Sequence, residues 1–150
     1  MRGGKIRIEE RGPLRATIEI KTKVSETSEI TQKVAIEIKG EGITFDTQIK
    51  WNENRKFLKV EFPLTVFSSQ AVYETQFGHL VRPNNKNTTW EAAKFEVVAH
   101  KFCVLQEFDF GVALLNDCKY GHACEGKLLR LSLLRSPKAP DCKKIKNNRI

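Results

Sequence analysis

Apolar and polar residues alternate with period two through most of the chain. The segments KIRIEE, ATIEIKTKV, KVAIEIKG, ITFDTQIKW and FLKVEFPL each set apolar side chains on one face and charged ones on the other, the pattern of half-buried strands. Breaks fall at Gly12-Pro13, between Ser25 and Ser28, at Gly40-Glu41-Gly42, between Asn52 and Arg55, and at Pro63. Glycine supplies turn conformations and proline withholds a ladder donor. These positions therefore predict strand ends, at the close spacing of a sandwich or barrel. Residues 82 to 90, RPNNKNTTW, predict a polar loop.

Beyond that loop AKFEVVAHKFCVLQEF, FGVALLN and LLRLSLL are more continuously apolar, as strands covered on both faces are. The leucine spacing of LLRLSLL suits a helix or a strand, and its short length between Gly126 and Pro137 favours the strand. With no internal repeat or linker, the pattern predicts one all-β domain over residues 1–141, an antiparallel β-sandwich of two packed sheets. A basic tail over residues 142–150 is expected to be disordered.

At 150 residues the chain is long enough to bury a core of its own. No stretch approaches the ~20 apolar residues of a membrane helix, so no membrane partner is expected. The opening residues MRGGKIRIEE lack the apolar run of a secretory signal, which points to a cytoplasmic setting. There the four cysteines, Cys103, Cys118, Cys124 and Cys142, stay thiols, and the Asn87-Thr88-Thr89 sequon is loop chemistry rather than a glycan acceptor. The net charge of +8 favours acidic partners. Its one dense block, DCKKIKNNRI, has no aromatic residues on which bases could stack, and no nucleic-acid partner is expected.

Candidate chemistry is sparse. Glycoside hydrolysis needs two facing carboxylates, and Glu74, Glu91, Glu107, Asp109 and Asp117 carry no pattern that pairs them. Cys118, His122 and Cys124 have the spacing C-x3-H-x-C, which is not that of a zinc finger or ribbon. Structural thiols and a loop histidine are expected there, and no metal ligand is assigned. Neither His79 nor His100 belongs to a recognisable nucleophile–base arrangement, and His100 reads as a packed strand residue. What remains is GVALLNDCKYG, residues 111 to 121, where an apolar run delivers Asn116 and Asp117 to a corner, with Lys119 and Tyr120 following. Asn and Asp cap their own backbone in tight turns, yet polar loops at a sandwich end are also where binding residues sit. Both readings stay open on the residues alone.

The succession EERGPLRA (9 to 16), FDTQIKWNENRKFLKVEFP (45 to 63), YETQFGHLVRPNNKNTTWEAAKFEVVAHK (73 to 101) and FGVALLNDCKYG through LSLLRSPKAPD (110 to 141) resembles the C-terminal β region of glycoside hydrolase family 38 alpha-mannosidases, in particular their cytosolic branch. The resemblance implies a galactose mutarotase-like supersandwich packed beside an N-terminal α/β barrel. That barrel supplies the aspartate nucleophile and a zinc or cobalt ion, so this chain is expected to hold no cofactor and no catalytic residue, and to be inactive alone. Its implied partners are the catalytic barrel and mannose-containing oligosaccharide. Asn116, Asp117, Lys119 and Tyr120 become a substrate-facing loop, because other branches carry an Asp-Arg pair there; here Cys118 follows Asp117. The alternative is a carbohydrate-binding or protein-docking module without activity. After SPKAPD the family continues with further strands, whereas this chain has DCKKIKNNRI. A sandwich truncated on its C-terminal side is expected, with an exposed sheet edge open to self-association.

Overall fold

The alternation before Trp51 folds into an antiparallel meander, in a computed structural model that describes residues 4–137. Strands β1 (Lys5–Arg11), β2 (Arg15–Lys23), β3 (Glu29–Glu37) and β4 (Ile43–Lys50) pair in chain order. The register aligns Ile8, Ile18, Val34 and Phe45 as one apolar row across all four strands, and one residue away Arg7, Glu19, Lys33 and Asp46 form a row of alternating sign. Opposite charges attract across a ladder, and a one-residue slip would turn every apolar side chain to the charged face. The pattern therefore sets the register. At one end, buried Ser28 accepts a bond at Oγ from the Asn52 amide, 2.9 Å away, tying the β2–β3 turn to the residues after β4.

The described residues divide into two compact units, one ending at Asn54 and the other beginning at Arg55. The break read at Asn52 to Arg55 thus separates two units rather than two strands of one sandwich, and three four-stranded sheets stand where two were expected.

The second unit is itself a sandwich. One sheet is formed by β6 (Gln70–Thr75), β7 (Gly78–Pro83), β9 (Phe102–Gln106) and β10 (Gly111–Leu115), in the order β10-β9-β6-β7. The other is formed by β5 (Phe57–Pro63), β8 (Val97–Val98), β11 (Gly121–Glu125) and β12 (Leu128–Arg135), in the order β5-β12-β11-β8. Every pairing is antiparallel. Their shared core joins Ala71, Tyr73, Cys103 and Leu105 from the first sheet to Leu129 from the second, with Val66 and Ala99 from the connections. LLRLSLLR is a strand: Leu129 and Leu131 are buried, while Arg130 on the opposite side bonds Glu61 at 2.7 Å.

Two local expectations are corrected. The polar loop at 82 to 90 runs into a helix, α1 (Thr89–Ala93). Thr88 Oγ1 accepts from the Glu91 amide at 3.2 Å and the Glu91 carboxylate accepts from the Thr88 amide at 3.1 Å, a reciprocal cap that starts a helix. His100, read as a strand residue, lies in a bend between β8 and β9, because the Glu74 carbonyl accepts from its amide at 3.1 Å and the Glu74 carboxylate accepts from the Lys101 amide at 2.5 Å. The expected tail over residues 142–150 lies outside the described residues.

Candidate functional site

The corner after β10 is built on Asn116. Its amide donates to the Lys101 carbonyl at 2.8 Å, one rung beyond the pairing of Leu115 with Phe102. Its side chain then closes the turn, with Oδ1 accepting from the Lys119 amide at 2.6 Å. That bond fixes the amide's orientation, since a main-chain N–H only donates. Nδ2 therefore faces the His100 carbonyl, 3.1 Å away, and His122 Nε2, 3.4 Å away. A ring that accepts at Nε2 carries its proton on Nδ1. Among the described residues no partner for that atom satisfies hydrogen-bond geometry, although the Tyr120 main chain lies near enough to favour the charged ring.

His122, expected in a loop, is instead a fully buried residue of β11, paired with Leu131. Burial lowers its pKa; the Tyr120 main chain and Glu96 oppose that only in part. Glu96 is itself committed, bonded to Ser132 Oγ and to Lys59 Nζ at 2.6 Å. Gly121 is needed where the chain turns back into β11, because a Cβ there would sit 2.9 Å from Ser132 Cβ and 3.0 Å from Glu96 Oε1.

On this frame the four residues read from the sequence separate. Asn116 is half-buried and its polar atoms are spent inside the turn. Lys119 is half-buried, and Asp117 and Tyr120 are exposed. The Tyr120 ring meets His100 edge to face, with centroids 5.4 Å apart, and its main-chain carbonyl accepts from the Ala99 amide at 3.0 Å. The corner is tied by these bonds, and it leaves a carboxylate and an aromatic ring exposed. Glu74, His100 and His122 support it, and only the inward alternation of β11 beside Leu131 could have signalled one of them, His122.

None of the described thiols is activated as a nucleophile. Burial pushes the Cys103 thiol up to about 12 and the Cys124 thiol up to about 11. The exposed Cys118 thiol is also raised, first by its hydrogen bond to Asp117. A thiolate, not a thiol, attacks and binds metal. Among the described residues no group of three His, Cys, Asp or Glu side chains could hold a zinc or cobalt ion. No helix among them is long and apolar enough to cross a membrane.

Comparison with known proteins gives this corner a context. The model of the Glycosyl hydrolases family 38 C-terminal domain matches residues 2–143. The chain belongs to that family. It is similar to Alpha-mannosidase 2C1 of Homo sapiens, 49% identical over 138 residues, and to Alpha-mannosidase G of Dictyostelium discoideum, 44% identical over 142 residues. Each match covers 92% of this chain and 13% of the relative. The chain thus corresponds to the C-terminal domain of a larger mannosidase. Among solved structures, an alpha-mannosidase from Enterococcus faecalis V583 superposes with a TM-score of 0.79 at 19% identity, covering 88% of this chain and 18% of that one. At that identity the likeness concerns the fold, which this family-38 domain shares.

Proposed function

We propose that this domain is the non-catalytic, sugar-side part of an enzyme that hydrolyses alpha-linked mannose from free oligosaccharides in the cytoplasm. Hydrolysis proceeds by retaining double displacement in a catalytic barrel that carries its own zinc or cobalt ion. The domain packs beside that barrel and turns the Asn116–Tyr120 corner toward the substrate. The observation that carries this reading is the division of labour at the corner. Asn116 is consumed in holding the turn, while Asp117 and Tyr120 remain exposed in a chain whose relatives are alpha-mannosidases. An aromatic ring beside a carboxylate suits a pyranose, the ring covering its C–H face and the carboxylate accepting from its hydroxyls. The three described cysteines, all unbridged, fit a reducing compartment.

The test is kinetic and uses the intact parent enzyme. Asp117→Ala and Tyr120→Ala should each lower kcat/KM on mannobiose by about tenfold, the equivalent of roughly 1.4 kcal/mol, with thermal stability unchanged because neither side chain is buried. Unchanged kinetics in both variants would remove the corner from the substrate's surroundings.

A further inference from the structure

A second feature lies in the same sandwich and shares no residue with the corner. A cavity of about 120 Å³ opens between β7, α1 and the β11–β12 hairpin, lined among others by Arg82, Lys86, Glu91, Lys94, Glu125 and Arg130. It is several times the roughly 10–15 Å³ that one water needs. Four cations meet two carboxylates here, and the carboxylates are already engaged. Glu125 accepts from Lys86 at 2.7 Å and from Arg130 at 3.2 Å, and Arg130 also bonds Glu61 at 2.7 Å. Glu91 is turned back onto the Thr88 amide as the helix cap.

That leaves Arg82 and Lys94. Arg82 stands opposite Ala71 in the β6–β7 ladder, and directly paired residues project to the same face. Ala71 belongs to the core, so the guanidinium leaves the strand on the core side. Its Nε is buried with no hydrogen-bond partner among the described residues. A buried donor left unpaired is costly, and an arginine fork is shaped to hold the paired oxygens of a carboxylate or phosphate. Lys94, at the C-cap of α1, brings a second cation with no ion-pair partner among the described residues. We infer that this cavity binds a small oxyanion, a carboxylate or a phosphate, held by Arg82 and Lys94. The inference does not depend on whether the corner meets sugar.

The probes are inorganic phosphate and acetate, titrated into the 150-residue chain at constant ionic strength balanced with chloride, while the Arg82 Nε–H resonance and the main-chain amides of residues 82 and 94 are followed. The expected result is a saturable shift with at least one of the two anions, weakened about tenfold or more in both Arg82→Met and Lys94→Met. Lys94 is exposed, so its variant decides the matter should Arg82→Met fail to fold. A response no different from that to chloride, or saturation untouched by Lys94→Met, would overturn the inference. The same titration on the longer enzyme separates two sources of the anion. A retained response identifies a free anion, whereas an Arg82 Nε–H already shifted and silent to phosphate identifies an acidic side chain from elsewhere in the protein.

Discussion

His122 shows how one buried side chain ties the corner to solution conditions. Its ordinary pKa is 6.5, and burial lowers it in the folded chain. As pH falls through 6.5 the unfolded chain takes up the proton first, so its population gains. The contribution of His122 to stability is therefore present above the unfolded value and is lost as pH drops from there toward the depressed folded value. His122→Leu removes that titration while keeping most of the buried volume. The account predicts that the fall in urea midpoint between about pH 7.5 and about pH 5 is shallower in His122→Leu than in the natural chain; equal slopes would show that the ring titrates normally. The residue also marks a limit of sequence reading. Asn116 and Asp117 read as turn formers, but the donor that orients the Asn116 side chain is the Lys119 amide, and its other partners are His100 and His122. Spacing alone does not reveal such pairings.

At the scale of elements, the period-two segments before Trp51 were fully legible because each carries its own alternation, and their register follows from matching charges across the ladder. The α1 helix does have a signal in the sequence, since Thr88 and Glu91 form the capping spacing immediately before Ala92 and Ala93. The shortness of β8 was not legible, because it depends on Glu74 capturing the amides of His100 and Lys101 from 27 residues away in the latter case. The β6–β7 turn carries a conformation no pattern would suggest. Phe77 has φ +65 and is fully exposed, while the β11–β12 turn uses Gly126 at φ +57. A left-handed conformation costs a bulky residue roughly 1–2 kcal/mol, and asparagine tolerates it better. Phe77→Asn should therefore raise the stability of the isolated chain by about 1 kcal/mol in denaturant unfolding. A loss of stability would mean that the ring contributes contacts its exposure does not suggest.

For the whole molecule, the all-β class and the family were readable from the strand rhythm and from runs such as ALLNDCKYG, whereas the division at Asn54 and Arg55 was not. WNENR interrupts alternation no more strongly than the other turns, and only the sheet pairings show that no ladder crosses it. The raised thiols, the hydrogen-bonded carboxylates Glu91 and Glu96 and a corner anchored by its own asparagine are the features on which the proposed supporting role rests. The match to Alpha-mannosidase 2C1 covers 13% of that relative.

The most direct measurement is release of nitrophenol from an aryl alpha-mannoside by the 150-residue chain alone, by the separately produced remainder of the parent enzyme, and by the two mixed, each with zinc or cobalt supplied. The account predicts no turnover from the chain alone and a rate from the mixture well above that of the remainder. Turnover by the chain alone that survives repurification, or a remainder whose rate is unchanged by adding the chain, would contradict it.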